Sequence, residues 1–291
     1  MADDSIGYSA RMFAQVSLPQ RNPGDRPYIE RTDGNLTLTL RPGYIKVPGE
    51  KAGEFELVQK YPFGVYPRLA LTYVSTEAFL SKSPVVDLGH SMRSFLSKLG
   101  VEYSGKTNRL VKEQLAALFS AQLTLTGTGH NAAGRGTITQ FVNVAEKYSL
   151  WWANEESEGV DGLWGSTVRL DDKFYNSIVK EPVPVDLRAL RTLGGSPLRI
   201  DLYLWATYRV QTLEAPALVT WAELYTQFGS QYGRPRAFKS PFIKALDEVK
   251  AVYPQLNVEV AESGVTLHPT LSRITSKRSA RQVGSKSAGA A

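Results

Sequence analysis

Residues 220–269 read TWAELYTQFGSQYGRPRAFKSPFIKALDEVKAVYPQLNVEVAESGVTLHP. Thr220 and Glu223 are spaced as a capping box, in which a hydroxyl and a carboxylate satisfy free amides at a helix start. Trp221, Leu224, Tyr225 and Phe228 follow at i, i+3, i+4 and i+7, so one face is apolar, and Gly229 is expected to supply a left-handed stop. Beyond Gly233, the cations Arg234, Arg236, Lys239, Lys244 and Lys250 interleave with Phe238, Phe242, Leu246, Val249 and Tyr253, which predicts a helix with one core side and one cationic side. Leu256, Val258 and Val260 alternate with polar residues, Ser263-Gly264 turns the chain, and Val265 and Leu267 alternate back. Helix, turn, basic helix and hairpin in that order is the winged-helix plan for gripping DNA. Ser240-Pro241 makes a good N-cap and N1 pair. The second helix therefore starts either there, with Arg234, Arg236 and Lys239 in the preceding turn, or near Pro235 with a kink.

The same order is read once more upstream. Leu36, Leu38 and Leu40 alternate with threonines as a strand, and the run Pro67 to Leu80 has helical spacing ended by Ser83-Pro84. Met92, Phe95, Leu96 and Leu99 give a helix stopped at Gly100. Lys106, Arg109 and Lys112 then precede or enter a helix whose apolar side is Val111, Leu115, Leu118 and Phe119. Leu123 and Leu125 leave it as a strand, four glycines between Gly127 and Gly136 make a flexible tip carrying Arg135, and Ile138 to Val144 return. The two turns share spelling, since Leu99-Gly100-Val101-Glu102-Tyr103 precedes Gly105-Lys106, and Phe228-Gly229-Ser230-Gln231-Tyr232 precedes Gly233-Arg234. In both, the next helix is led toward a phosphate by a glycine and a cation.

Gly100 to Thr107 also spells G-x-x-x-x-G-K-T, the phosphate cradle of nucleotide hydrolases. Such a loop needs an apolar strand feeding it and a second strand ending in a metal-holding Asp. Here an amphipathic helix feeds it, and Leu198 to Asp201 is a weak substitute for the second strand. The repeat favours a helix-turn-helix corner, and the nucleotide hydrolase using Lys106 is kept as a minor alternative.

The 291 residues suit two ordinary cores, and the absence of Cys removes disulfides, thiolate metal sites and cysteine nucleophiles. No basic and apolar leader opens the chain and no run is long enough to span a bilayer, so a soluble, cytoplasmic protein without membrane contact is expected. The net charge of +6 falls to +1 once Arg273, Lys277, Arg278, Arg281 and Lys286 of the tail are set aside. What supports DNA binding is therefore the local excess from Arg234 to Lys250. His90, His130 and His268 are far apart and form no metal pair or triad, so no catalytic residue, metal or cofactor is expected. Glu155, Glu156, Glu158 and Asp161 read as a solvated loop, and Trp151, Trp152 and Trp164 as core strand positions.

The resulting class is α+β with two tandem winged-helix domains. The division is a flexible polar arm (1–34), an N-terminal winged-helix domain (35–182), a C-terminal one (183–272) and a disordered basic tail (273–291). The DNA-contact candidates are Lys106, Arg109, Lys112, Arg135, Arg234, Arg236, Lys239 and Lys244, with the second hairpin touching flanking phosphates. A winged-helix transcriptional repressor would share nearly all of these features.

A more specific likeness rests on Asp201-Leu202-Tyr203-Leu204-Trp205-Ala206-Thr207-Tyr208-Arg209, Trp221, Gln227-Phe228-Gly229, Tyr232, Arg236-Ala237-Phe238-Lys239 and Phe242 with Ala245-Leu246. Leu71 to Phe79, Phe95 to Gly100, Arg109-Leu110, Gly165-Ser166-Thr167 and Pro182 to Asp186 agree with it. Over roughly residues 30 to 268 the chain resembles the plasmid-encoded RepA replication initiator family. That resemblance implies an initiator, not an enzyme, which binds double-stranded origin DNA, helps open it and recruits host proteins such as DnaA and the replicative helicase. It also implies plasmid copy control; initiators of this architecture often switch between dimer and monomer, so a homodimer is one possible state, and whether the protein represses its own gene is left open.

Overall fold

The computed structural model describes residues 5–270 apart from 50, 52–53, 132–133, 151–164 and 230. Strand β1 (Ile6–Ala10) and the short helix α1 (Arg11–Gln15) come first. Strands β2 (Ile29–Asp33), β3 (Leu36–Arg41), β4 (Gly43–Pro48) and β5 (Phe55–Lys60) precede the long helix α2 (Val65–Ser81). Strand β6 (Val85–Gly89) leads to helices α3 (Met92–Leu99) and α4 (Gly105–Ser120), the hairpin β7 (Gln122–Asn131) and β8 (Gly134–Asn143), and β9 (Ala145–Ser149). Strand β10 (Ser166–Leu170), helix α5 (Asp172–Lys180), strand β11 (Pro182–Asp186) and helices α6 (Leu187–Leu193) and α7 (Pro197–Thr212) follow. The last group is β12 (Ala217–Thr220), α8 (Trp221–Phe228), α9 (Pro235–Val252), β13 (Val258–Val260) and β14 (Gly264–Leu267).

The sheets are small and antiparallel, in the orders β2-β3-β7-β8, β6-β10-β9, β12-β14-β13, β1-β11 and β4-β5. Leucine–threonine alternation does what a half-buried sheet needs, because Leu38 and Leu40 point inward opposite Leu125 and Leu123. Helices α2 and α7 are buried on nearly every side, so neither shows a clean apolar stripe. In α2 the hydroxyls of Thr72 and Thr76 donate back to the carbonyls of Arg68 and Thr72, which satisfies polar groups that face the interior.

Arg68 on α2 and Asp201 on α7 are each almost fully buried and form a two-pronged pair, Nε to Oδ1 at 2.6 Å and Nη2 to Oδ2 at 2.7 Å. The remaining donors reach the carbonyls of Leu18 (2.5 Å), Pro19 (3.0 Å) and Gly64 (2.6 Å). All five guanidinium N–H groups are thereby used, the condition under which a buried charge is tolerated. The contact ties the first half of the chain to the second and fixes the segment that carries Leu18 and Pro19.

That segment corrects one expectation. Over its described part, 5–34, the supposed flexible arm is folded: β1 pairs with β11 from Ile6 opposite Asp186 to Ala10 opposite Pro182, and Met12, Phe13, Ala14, Val16 and Leu18 are buried. A five-residue strand followed by a five-residue helix is too short to display a period, so its apolar residues pass unnoticed among the prolines. The expected boundary at 182 and 183 also falls inside paired structure, and one continuous core cluster contains residues from both sides of it. The glycines between Gly127 and Gly136 do not form a loose tip, because the β7–β8 ladder runs on to His130 opposite Arg135 and Asn131 opposite Gly134. The tail from 273, the tryptophans at 151, 152 and 164, the acidic run Glu155 to Asp161 and the side chain of Arg135 lie outside the described residues.

Candidate nucleic-acid interface

Two units of helix, turn, helix and hairpin are present, α3–α4–β7–β8 and α8–α9–β13–β14. In the second, Thr220 Oγ1 accepts from the Glu223 amide while the Glu223 carboxylate accepts from the Thr220 amide at 2.8 Å and its hydroxyl at 2.7 Å. Those bonds hold the Glu223 carboxyl below the usual glutamate range. Behind the turn, an aromatic cluster fixes α8 on α9. Phe238 meets Tyr225, Tyr232 and Phe242 at ring-centre distances of 5.7, 5.6 and 5.2 Å, and the Tyr225 hydroxyl donates to the Tyr232 carbonyl at 2.6 Å.

The two turn glycines act differently despite their shared spelling. Gly100 is left-handed at φ 70°, and the amide of Val101 reaches back to the Leu96 carbonyl at 2.9 Å, as in a Schellman-type stop. Gly229, expected to be left-handed, has φ −84°. It is small for another reason: a Cβ there would sit 2.3 Å from Tyr225 Cδ2 and 2.6 Å from the Tyr225 carbonyl oxygen.

The choice of start for the second basic helix falls on Pro235, with Arg234 as N-cap residue and Pro241 inside the helix. Arg236, Lys239 and Lys244 are thus helical, and only Arg234 precedes the first turn. Pro241 cannot donate to the carbonyl of Ala237, a local break in the ladder. Phe238, Phe242, Leu246 and Val249 are buried, whereas Arg234, Arg236 and Lys244 are exposed. Lys239 is half-buried, its ammonium 4.8 Å from the centre of the Trp221 ring.

On α4, Val111, Leu115, Leu118 and Phe119 face the core, and Lys106, Arg109 and Lys112 lie exposed at three-residue steps. Ser104 Oγ accepts from the Thr107 amide at 3.1 Å and starts this helix at Gly105. The G-x-x-x-x-G-K-T spelling therefore builds a corner between two helices and not a strand-fed cradle. Asp201, the weak candidate for a metal-holding strand end, lies in α7 with its carboxylate on Arg68.

One acid beside each cationic face is engaged by a cation distant in sequence, while Asp247 of α9 stands exposed three positions after Lys244. Glu113 of α4 pairs with Lys60 at 3.0 Å, and Glu248 of α9 pairs with Arg199 of α7. No short-range pattern links these partners, which lie 53 and 49 positions apart, although Arg199 and Glu248 each stand beside a helical apolar stripe. The turn of the second hairpin, Ala261 to Ser263, holds an exposed Glu262 and no cation, so the expected phosphate contact there would rest on Ser263 and backbone amides. Among the described residues no group of three or more His, Asp or Glu is placed to hold a metal ion, and no helix is long and apolar enough to cross a membrane.

A family model described as plasmid encoded RepA protein matches residues 61–222. A comparison with curated proteins returns no match. Among solved structures, a crystal structure of domains 2 and 3 of RctB aligns with a TM-score of 0.53 at 11% identity, covering 90% of this chain and 97% of that one. A second crystal structure of RctB domains 2–3 aligns with a TM-score of 0.50 at 13% identity, covering 89% and 96%. At such identities the likeness is one of fold.

Proposed function

The chain belongs to the family of plasmid-encoded RepA proteins, and on that premise we propose that it is a plasmid replication initiator built on two winged-helix units. The outward cations of α4 (Lys106, Arg109, Lys112) and of α9 (Arg236, Lys239, Lys244, with Arg234 ahead of it) enter successive major grooves of origin duplex, with Arg135 on a flanking phosphate. One observation carries this reading: each unit presents a row of cations on the helix after its turn, and Glu113 of α4 and Glu248 of α9 are drawn off by Lys60 and Arg199. Exposed positive charge along a helix face is what phosphate binding needs.

The work is binding and distortion of DNA, with no covalent step, in the cytoplasm. Fitting two units of one chain to one duplex favours opening an adjacent segment. Host replication proteins, DnaA and the replicative helicase among them, would then be recruited, and a homodimer would serve copy control. A transcriptional repressor would have the same helices, so replication has to be the readout. Supplying this gene in trans should sustain a plasmid that carries only the candidate origin. Loss of that plasmid with soluble protein present would transfer the reading to a repressor.

A further inference from the structure

Of the cations on α9, Lys239 alone rests on an aromatic face among the described residues. Its ammonium lies 4.8 Å from the centre of the Trp221 ring. The ring is itself fixed twice. Its indole N–H donates to the Ala261 carbonyl in the turn of the second hairpin at 3.0 Å, and its edge meets Phe242 of α9 at a ring-centre distance of 5.6 Å and an interplanar angle of 86°. The Trp221 amide also reaches the Ser263 carbonyl, at 3.3 Å. Trp221 is thus bonded to both ends of the hairpin turn and packed on the helix that carries Lys239.

On the duplex-binding reading, on which this rests, we propose that Trp221 is a positioning residue: it holds the Lys239 ammonium in place for a phosphate, and the hairpin turn holds Trp221. A free lysine loses rotamer freedom when it meets a phosphate. One already laid on a ring loses less, and the ring also steadies the charge. The turn contains Glu262 and no cation, so anchoring the indole gives the second hairpin a role that needs no charge of its own. The amino end of α8 is not the anion site, because the Glu223 carboxylate already occupies the Thr220 amide and hydroxyl.

The test is a double-mutant cycle with a labelled duplex of about 30 base pairs and mixed sequence at low salt, where nonspecific phosphate binding is measurable. In the wild-type chain Lys239→Ala should weaken binding by about 3- to 10-fold. With Trp221→Leu, Lys239→Ala should cost less than about 2-fold, since the lysine is already loose. With Trp221→Phe, which keeps a ring and loses the N–H to the hairpin turn, the cost should fall between those two values, and a cost equal to the wild-type one would show that the hairpin does not hold the ring. Arg109→Ala, in the other unit, should cost the same in every background, which shows that Trp221→Leu is folded and still binds. An equal loss from Lys239→Ala in the Trp221→Leu background overturns the proposal. A second measurement needs no variant at Trp221: the Lys239 side-chain methylene protons, identified by their absence in Lys239→Ala, should be shifted upfield by the ring, and ordinary lysine shifts would also overturn it. Absence of duplex binding by the wild-type chain is a different result, and sinks the functional reading beneath it.

Discussion

Replacing Asp201 by Ala removes the carboxylate paired with the Arg68 guanidinium, the two buried together with each side chain 3% exposed. Arg68 would keep its bonds to the carbonyls of Leu18, Pro19 and Gly64, three of the five now present, and lose both to Asp201. Carbonyl dipoles satisfy hydrogen bonds but do not neutralise the charge, so the loss is that of a buried pair broken on one side, roughly 3–5 kcal/mol. For a chain of this size each kcal/mol moves the melting temperature by about 2–4 °C, which gives a drop of roughly 6–20 °C. Urea unfolding followed by far-UV circular dichroism measures the change directly. The double variant Arg68→Met, Asp201→Leu should recover part of it, with the carbonyls of Leu18 and Gly64 left short of a donor. An Asp201→Ala chain within about 1 kcal/mol of wild type, with an unchanged denaturant slope, would refute the view that this pair joins the two halves.

The other expectations are narrower. Gly100→Ala places a β-carbon 2.6 Å from Arg191 Cγ at φ +70° and should cost at least about 1–2 kcal/mol, whereas Gly105→Ala meets nothing within 4 Å and should be neutral or stabilising by about 0.4–1 kcal/mol; chemical denaturation compares them. Saturating ATP with magnesium should leave the melting temperature where it is, whereas a real cradle at Gly100 to Thr107 would add about 2.7 kcal/mol at a hundred times its Kd. The Glu223 carboxyl is lower in the folded chain than in the unfolded one, so its contribution is fully present above the ordinary glutamate range and is lost as pH falls through the lowered folded value. Glu223→Gln should remove that part of the acid dependence of unfolding and leave the rest of the curve in place.

How much of this could be read from the chain depended on distance in sequence. The capping box at Thr220 and Glu223, the apolar steps of α8 and α9 and the alternation of β3 and β14 are local, and they stand where periodicity placed them. The cationic rows of α4 and α9 were legible for the same reason. Arg68 with Asp201, Lys60 with Glu113 and Arg199 with Glu248 were not, because ion pairs across 133, 53 and 49 positions leave no periodic mark. The opening residues were misread because β1 finds its partner in β11, far downstream. Gly229 shows that shared spelling can conceal different causes, a left-handed stop at Gly100 and a steric limit against Tyr225 at Gly229. Pro241 favoured a helix start at Ser240 as much as one at Pro235. The four-residue step from Phe238 to Phe242 carries the core face across the proline, and the helix begins at Pro235.

The central claim is that α4 and α9 both grip duplex DNA, and the salt dependence of binding tests it most directly. The slope of log affinity against log salt should become shallower by about 2 in Arg109→Ala, Lys112→Ala and by about 2 again in Arg236→Ala, Lys244→Ala, since each phosphate contact contributes about 0.9. A slope left unchanged by either pair, in a folded chain that still binds, would mean that only one of the two helices meets the DNA.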